Sequence, residues 1–407
     1  MVGSDAVDAG HIDRAREAIG HVVKHTPVVS SGTLSGRMGG EIVLKAENLQ
    51  RTGAFKIRGA MNKLASLGPD AVRGVTCGSA GNHAQALAFA AQHHGVECEI
   101  FVPSGAPISK IEACQGYGAK VTEVGSSLNE AVTASLERAE SSGLVFCHPF
   151  DDPVVVAGQG TLGLELLDDI ADLATVIIPL GGGGLACGTA IAVKSALPHV
   201  RVIGVQAEAC APYAGRAVAD GAVVTLADGI AVKSPGTVTR PLVEWWLDEV
   251  VTVDEDSIAD AMVLLMERSK LYVEGAGAVG VSALTSGVVA ADRRGVTCVV
   301  VSGGNVDLGV VPGLIRRHEN QAGRRLDVFA RIDDRPGGLT KLLAVFADGG
   351  ANLIEVEHVR EGIDLHVRET GVHATFEVRG RDHARRLVDA ATAEGYELRT
   401  EAAGPAG

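Results

Sequence analysis

Lys56 lies in the stretch TGAFKIRGA, between Phe55 and Ile57, with no acidic residue within three positions. Burial of an ammonium lowers its pKa, and the neutral amine that results can attack an aldehyde to form a Schiff base. A lysine in such a setting can equally lay its stem along apolar surface and keep its head in water. Three further stretches bear on that choice.

GSAGNHAQALAFAA, from Gly78, places a Ser79–Ala80–Gly81 turn after the strand GVTC and opens a helix at about Asn82. Such a turn aims backbone N–H groups and a helix N-terminus at one spot, which suits an anion such as a substrate carboxylate. Asn82 adds an amide that can hydrogen-bond a phenolic oxygen. A plain helix cap at Ser79 or Asn82 would use the same residues. PLGGGGLACG, residues 179–188, sets Gly181, Gly182, Gly183 and Gly184 between an apolar strand and a helix. Backbone without side chains can wrap a phosphate with its N–H groups, and the helix dipole adds to the attraction. The spacing is neither GxGxxG nor GxxxxGK[ST], so a dinucleotide or P-loop site is poorly supported. VVVSGGNVDLG, from Val299, ends a buried strand at Ser302, where strands of open α/β sheets face their ligand crevice. A desolvated amine, a neutral amide, a phosphate cup and a hydroxyl match the aldehyde, ring oxygen, phosphate and ring nitrogen of pyridoxal phosphate.

The elements that must hold these groups follow a simple rhythm. From about 40 to 315, short β-rich runs (EIVLKAE, GVTCGS, VECEIFVP, KVTEV, TVIIPL, RVIGVQAE, GVTCVVVS) alternate with longer helical segments such as Ala84–Gly95 and Ile258–Leu271. That order predicts βαβ units and a largely parallel sheet covered on both faces. Near 320 the rhythm changes. HENQAGRR is polar and reads as a linker. After it, LDVFARI, LTKLLAVFADGG, LIEVEHVRE, VHATFEVRG, RDHARRLVDAATAEG and YELRTE predict a ferredoxin-like βαββαβ unit.

Composition narrows the function classes. A chain of 407 residues predicts two or three domains, and 46% hydrophobic with only 3% aromatic residues suits aliphatic cores. A net charge of −14, with no basic run longer than Arg316-Arg317-His318, disfavours nucleic-acid binding. Seven cysteines without a CxxC pair suggest free thiols rather than a disulfide framework or a zinc knuckle. The acid-bearing start MVGSDAVDAG lacks an apolar core for a secretory signal, and no apolar run reaches 18 residues. The expectation is a cytoplasmic, soluble protein with no membrane span.

TGAFKIRGA, SAGNHAQ, GGGGL and SGGN, in this order, together with ADGIAVKSPG from Ala227, resemble the threonine dehydratase (threonine ammonia-lyase) family of fold-type II pyridoxal-phosphate enzymes. The resemblance covers roughly residues 10 to 320. DDRPGGL and ANLIEVEH in the C-terminal unit resemble an ACT domain, a regulatory amino-acid-binding module, so the layout is similar to the medium-length form with one such unit.

The resemblance implies two open α/β subdomains, tryptophan synthase beta-like, over 1–320, with the smaller one at about 50–150, and an ACT domain over 325–402. Lys56 would hold pyridoxal 5'-phosphate and act as general base, and Phe55 would pack beside the ring. Asn82 would bond the ring oxygen, Gly181, Gly182, Gly183, Gly184 and Leu185 the phosphate, and Ser302 the ring nitrogen. Ser79, Ala80, Gly81, Asn82 and His83 would hold the substrate carboxylate. The implied reaction deaminates L-threonine to 2-oxobutyrate and ammonia. L-serine, one methyl smaller, would react too, since a methyl in a pocket discriminates by only about 1–3 kcal/mol. An effector such as isoleucine or valine would sit near Asp334, Gly337, Leu339 and Asn352, in a homo-oligomer (dimer or tetramer). The related alternatives are a lyase of serine or hydroxyaspartate and a catalytically inactive amino-acid sensor; retention of Lys56 argues against the sensor.

This chain departs from the pattern at two places. Ala54 replaces the serine of TGSFK. Ala80 stands where the related serine racemases carry a serine that serves as second acid/base, which disfavours racemisation. Glu208 is present but Ala214 stands where a racemase-like metal site needs an aspartate, so no specific structural metal is expected.

Overall fold

The computed structural model describes residues 6–68, 73–216, 221, 223–360, 366 and 368–400. Two compact units divide the chain, Met1–Val306 and Asp307–Gly407.

The first unit is built on β1 (Val28–Ser30), β2 (Ile42–Ala46), β3 (Val75–Gly78), β4 (Cys98–Val102), β5 (Lys120–Glu123), β6 (Val145–Phe146), β7 (Leu173–Pro179), β8 (Arg201–Ala207), β9 (Glu249–Val253) and β10 (Val296–Val301). They form a sheet of order β1-β2-β10-β7-β8-β9 and a smaller one of order β5-β4-β3-β6. β1 runs antiparallel to β2; every other neighbouring pair is parallel. The smaller sheet falls between β2 and β7 in the chain. Each predicted strand run is a strand. β1, β6 and β9 escaped prediction, the first two because two or three residues show no alternation.

All six residues of β10 (VTCVVV) are buried, as expected of a parallel strand covered on both faces. Each sheet has its own apolar cluster: Ile178, Ile191 and Val300 belong to the larger, Leu87, Ile100 and Val102 to the smaller. Close helix packing also needs missing side chains. A Cβ on Gly163, in the helix Pro153–Asp169, would stand 2.7 Å from the Ala192 Cβ and 2.8 Å from the Thr189 carbonyl oxygen.

In the second unit β11 (Arg325–Asp333), β12 (Asn352–Val359), β13 (Glu369–Glu377) and β14 (Leu398–Thr400) pair antiparallel in the order β12-β13-β11-β14. The helices Gly338–Asp348 and Arg381–Ala393 complete the βαββαβ order, over a core that stacks Phe346 on Phe376 at 4.2 Å. The linker reading of HENQAGRR is corrected in its first half. His318–Gln321 end a helix, Val311–Gln321, which buries Leu314; the chain turns at Gly323 (φ 66°) and enters β11 at Arg325. An exposed helix face and a linker share one polar composition, so composition alone could not separate them. Among the described residues no helix is long and apolar enough to cross a membrane.

Candidate active site

The lysine turn is stitched to the end of β10. The Phe55 N–H donates to the Ser302 carbonyl at 3.1 Å, the Gly304 N–H to the Gly53 carbonyl at 2.8 Å, and Ala54 bridges Gly303. Thr52 (φ 60°) and Gly53 (φ 73°) bend the chain so that Lys56 opens the helix Lys56–Leu67. Thr52 pays for that turn with a left-handed backbone uncommon outside glycine, the kind of strain that collects at functional sites.

The Lys56 amine donates to the Pro149 carbonyl at 2.9 Å and lies 5.1 Å from the Phe55 ring centre. Burial lowers its pKa from 10.5 to about 8, partly opposed by the Glu274 carboxylate. Snorkelling is therefore not the reading this side chain supports. Nearby, His83 turns inward and donates to the Cys147 carbonyl at 2.9 Å. Burial, with Lys56 close by, brings its pKa to about 3 and keeps the ring neutral.

Gly81 is the cap of the helix Asn82–His94, with no side-chain cap hydrogen bond, so the cap alternative for Ser79 and Asn82 fails. The Ser79 N–H is spent on the Phe101 carbonyl, and its hydroxyl accepts from the Gly81 N–H at 3.3 Å. Ala80 packs against the core of the smaller sheet. Asn82 sits in a clamp: its Nδ2 donates to Glu274 Oε1 at 2.7 Å, and its Oδ1 accepts from Asn305 Nδ2 at 2.8 Å.

The glycine stretch is buried throughout and leads into the helix Gly184–Ala196. Protein walls its outer side. A Cβ on Gly181 would meet Ile230 Cα at 2.9 Å, one on Gly182 would overlap the Phe150 ring, and Gly183 (φ 94°) lies against Thr239. Among the described residues the N–H groups of Gly181, Gly182 and Gly183 donate to no protein acceptor; those of Gly184 and Leu185 open a helix, where no in-helix acceptor exists. Buried, unspent donors converging on a helix start fit a phosphate, and Lys56 fits its aldehyde. Asp151 accepts from the N–H groups of Thr237, Val238 and Thr239, the last of which lies against Gly183. Ser302 is buried at the end of β10.

Glu274, Asn305 and the Pro149 carbonyl were missed by sequence reasoning. Glu274 is buried, and burial together with Asp228 raises its carboxyl to about 7. An acid set in the run YVEGAGAVG was the available signal. Asn305 lay inside the quoted SGGN without a role, and a backbone carbonyl leaves no mark in a sequence.

The remaining expected residues fall elsewhere. Glu208 pairs with Arg216 at 3.1 Å, and Ala214 closes a 3₁₀ turn, Pro212–Ala214. In the second unit Asp334 pairs with Arg360 at 3.0 Å, Gly337 (φ 90°) starts the helix Gly338–Asp348, and Leu339 packs partly on the core. Asn352 donates to Glu377 at 3.3 Å. The register sets Asn352 and Glu377 at one end of the sheet, and Asp333 with Glu369 at the other. One copy of the unit therefore does not bring Asn352 beside Asp334.

Known proteins resemble this chain in sequence and fold. Residues 19–303 match the family model described as "Pyridoxal-phosphate dependent enzyme". The chain is 42% identical to an L-threonine ammonia-lyase of Thermotoga maritima over 394 residues, 95% of this chain and 98% of the relative. Among solved structures it is similar to the threonine deaminase of T.th. (36% identity, TM-score 0.69, 74% of this chain and 99% of that one). Maize serine racemase is also similar (34% identity, TM-score 0.72, 77% and 98%). With its lysine, its open glycine cup and this match over most of its length, the chain belongs to the family of pyridoxal-phosphate-dependent enzymes.

Proposed function

We propose that this chain is an ammonia-lyase that converts L-threonine to 2-oxobutyrate and ammonia, acts also on L-serine, and is regulated by an amino acid at its C-terminal unit. The observation that carries the reading is the inward-turned Lys56 amine, which donates to the Pro149 carbonyl and is lowered by burial to a pKa of about 8. The 42% identity with a threonine ammonia-lyase along 95% of the chain supports the substrate. The proposal assigns 1–320 to catalysis and 325–402 to regulation by isoleucine or valine in a homo-oligomer, in a cytoplasmic setting.

Gly181 to Leu185 would hold the phosphate, Asn82 the ring oxygen and Ser302 the ring nitrogen. Bound pyridoxal phosphate supplies an electron sink conjugated to the substrate α-carbon, which makes the α proton removable. The open helix start at Asn82 holds the substrate carboxylate and so fixes which Cα bond faces Lys56. Lys56 takes the α proton and returns a proton to the departing β-hydroxyl, which leaves as water. Ser302 offers a neutral hydroxyl to the ring, not a carboxylate, and so does not hold an extra positive charge there. Keto acid release from L-threonine and L-serine by the reconstituted protein, with and without isoleucine, tests the proposal. No release from either substrate by protein that has taken up cofactor sinks it.

Ala80 lacks a hydroxyl, so Ala80→Ser is expected to give D-serine from L-serine, read by chiral chromatography, where the unmodified chain gives none. The Lys56 shift sets a pH dependence of loading. The amine becomes neutral as pH rises through about 8. Cofactor uptake by apoprotein should therefore rise to a plateau just above pH 8, whereas a lysine at 10.5 would keep climbing towards that value. Stopped-flow absorbance from about pH 6.5 to about pH 10 reads the difference, and a midpoint near the ordinary lysine value of about 10.4 would refute the shift.

A further inference from the structure

We propose that Asn305 is a positioning residue that sets which way round the Asn82 amide faces and so makes Asn82 a hydrogen-bond donor towards the cofactor. This rests on the reading above, in which Asn82 meets the ring oxygen.

An asparagine amide offers a donor on one side and an acceptor on the other, and half a turn exchanges them. Only the donor side serves a phenolate-type oxygen. The Asn82 amide is held at both ends. Asn305 Nδ2 donates to Asn82 Oδ1 at 2.8 Å, and Asn82 Nδ2 donates to Glu274 Oε1 at 2.7 Å. Half a turn of Asn82 would set amide nitrogen against amide nitrogen at the Asn305 end and lose that bond, and would take the donor away from Glu274 at the other.

The orientation is traceable to a group that cannot be reversed. Asn305 Nδ2 also donates to the Thr52 carbonyl at 2.8 Å, and a backbone carbonyl only accepts. At the other end Glu274 Oε1 accepts from Asn82 Nδ2. The series Thr52 carbonyl, Asn305, Asn82, Glu274 therefore has one consistent polarity. Asn82 Nδ2 spends one hydrogen on Glu274 and keeps one. Asn305 is itself confined, since a Cβ on Gly53 would overlap its side-chain amide. It also links three motifs: it follows Ser302 on the same strand end, it grips the turn that carries Lys56, and it holds the first residue of the helix that receives the substrate carboxylate.

The test reverses the polarity at one atom. Asn305→Asp keeps size and shape but replaces the donor with an acceptor. Apoprotein carrying Asn305→Asp, Asn82→Ala, or both is titrated with pyridoxal 5'-phosphate, following the visible absorbance band and its pH midpoint. Asn305→Asp is expected to weaken cofactor binding about tenfold or more, equivalent to about 1.4 kcal/mol, and to move the band's pH midpoint. In the Asn82→Ala background the same change should do neither, because the group it orients is gone. Wild-type affinity and an unmoved midpoint in Asn305→Asp would overturn the inference, as would an undiminished effect in the Asn82→Ala background. If Asn305→Asp does not fold, Asn305→Ser, which lacks the amide, is read against the same two criteria. Failure of the unmodified chain to take up cofactor would instead overturn the functional reading itself, so the two failures are distinguishable.

Discussion

Lys56→Ala is expected to lower keto acid release from L-threonine by on the order of 10⁴-fold or more, because in the proposed mechanism one side chain would supply both the covalent anchor and the general base. Borohydride should no longer attach cofactor to the chain. The fold should survive. The amine makes a hydrogen bond to the Pro149 carbonyl, and its lowered pKa shows that the surroundings disfavour its charge. Removing it relieves a desolvation cost instead of breaking a network, so the denaturation midpoint should stay level or rise. Lys56→Arg serves as a second check: it keeps a cation but cannot deprotonate near neutral pH, and should be as inactive as the alanine variant. Turnover within tenfold of the unmodified enzyme in either variant would overturn the assignment of Lys56.

Two residues along the same helix, Arg58→Met is expected to cost about 3–5 kcal/mol of stability, the usual result of stripping one partner from a buried ion network. Arg58 is fully buried. Its Nε and Nη2 reach the two carboxylate oxygens of Glu47 at 2.8 Å each, and its Nη1 reaches Glu165 at 2.7 Å and the Thr161 hydroxyl at 3.1 Å. Glu165 is shared with Lys45 at 2.7 Å, and Lys45 reaches Asp169 at 3.1 Å. Methionine fills the space but leaves the Glu47 and Glu165 charges short of partners. Adding Glu47→Gln should recover part of the loss, since it removes one orphaned charge; urea unfolding of the three proteins reads both steps. A loss below about 1 kcal/mol for Arg58→Met, the range of an exposed pair, would show that the network contributes little.

The same network has a pH signature. Burial alone would raise the Glu165 carboxyl, but Arg58 and Lys45 hold it below its usual 4.5. A depressed folded value means its stabilisation is present above 4.5 and is lost as acid takes the pH through the folded value. The network also bears on the proposed catalytic lysine. It ties the helix that begins at Lys56 to β2, through Lys45, and to the helix Pro153–Asp169, through Glu165 and Thr161, so the reactive amine stands on a firm base.

How much of this was legible beforehand depended on whether the information was local. The strand runs around Val176 and Val299 announced themselves because parallel strands buried on both faces have continuous apolar sequences. Gly181 to Gly184 stood out because four adjacent glycines carry a conformational cost that needs a reason. The helix at Asn82 followed from a turn and an alanine-rich run. By contrast, HENQAGRR looked like a linker because the exposed face of a helix is as polar as one. Arg58 drew no comment at all, since nothing around it in the chain says that it is buried.

The sequence by itself determined the reactive groups and their order: an amine among apolar neighbours, an open helix start, a glycine cup and a hydroxyl at a strand end. Each of those is a property of a few adjacent residues. Tertiary structure alone decided what surrounds them. Asn82 meets Glu274 from 192 residues away and Asn305 from 223, and Lys56 meets the Pro149 carbonyl from 93. Desolvation, the polarity of an amide and the partner of a buried charge depend on which distant atoms fill a given volume. Such neighbours exist only once the sheets have formed and their helices have closed over them.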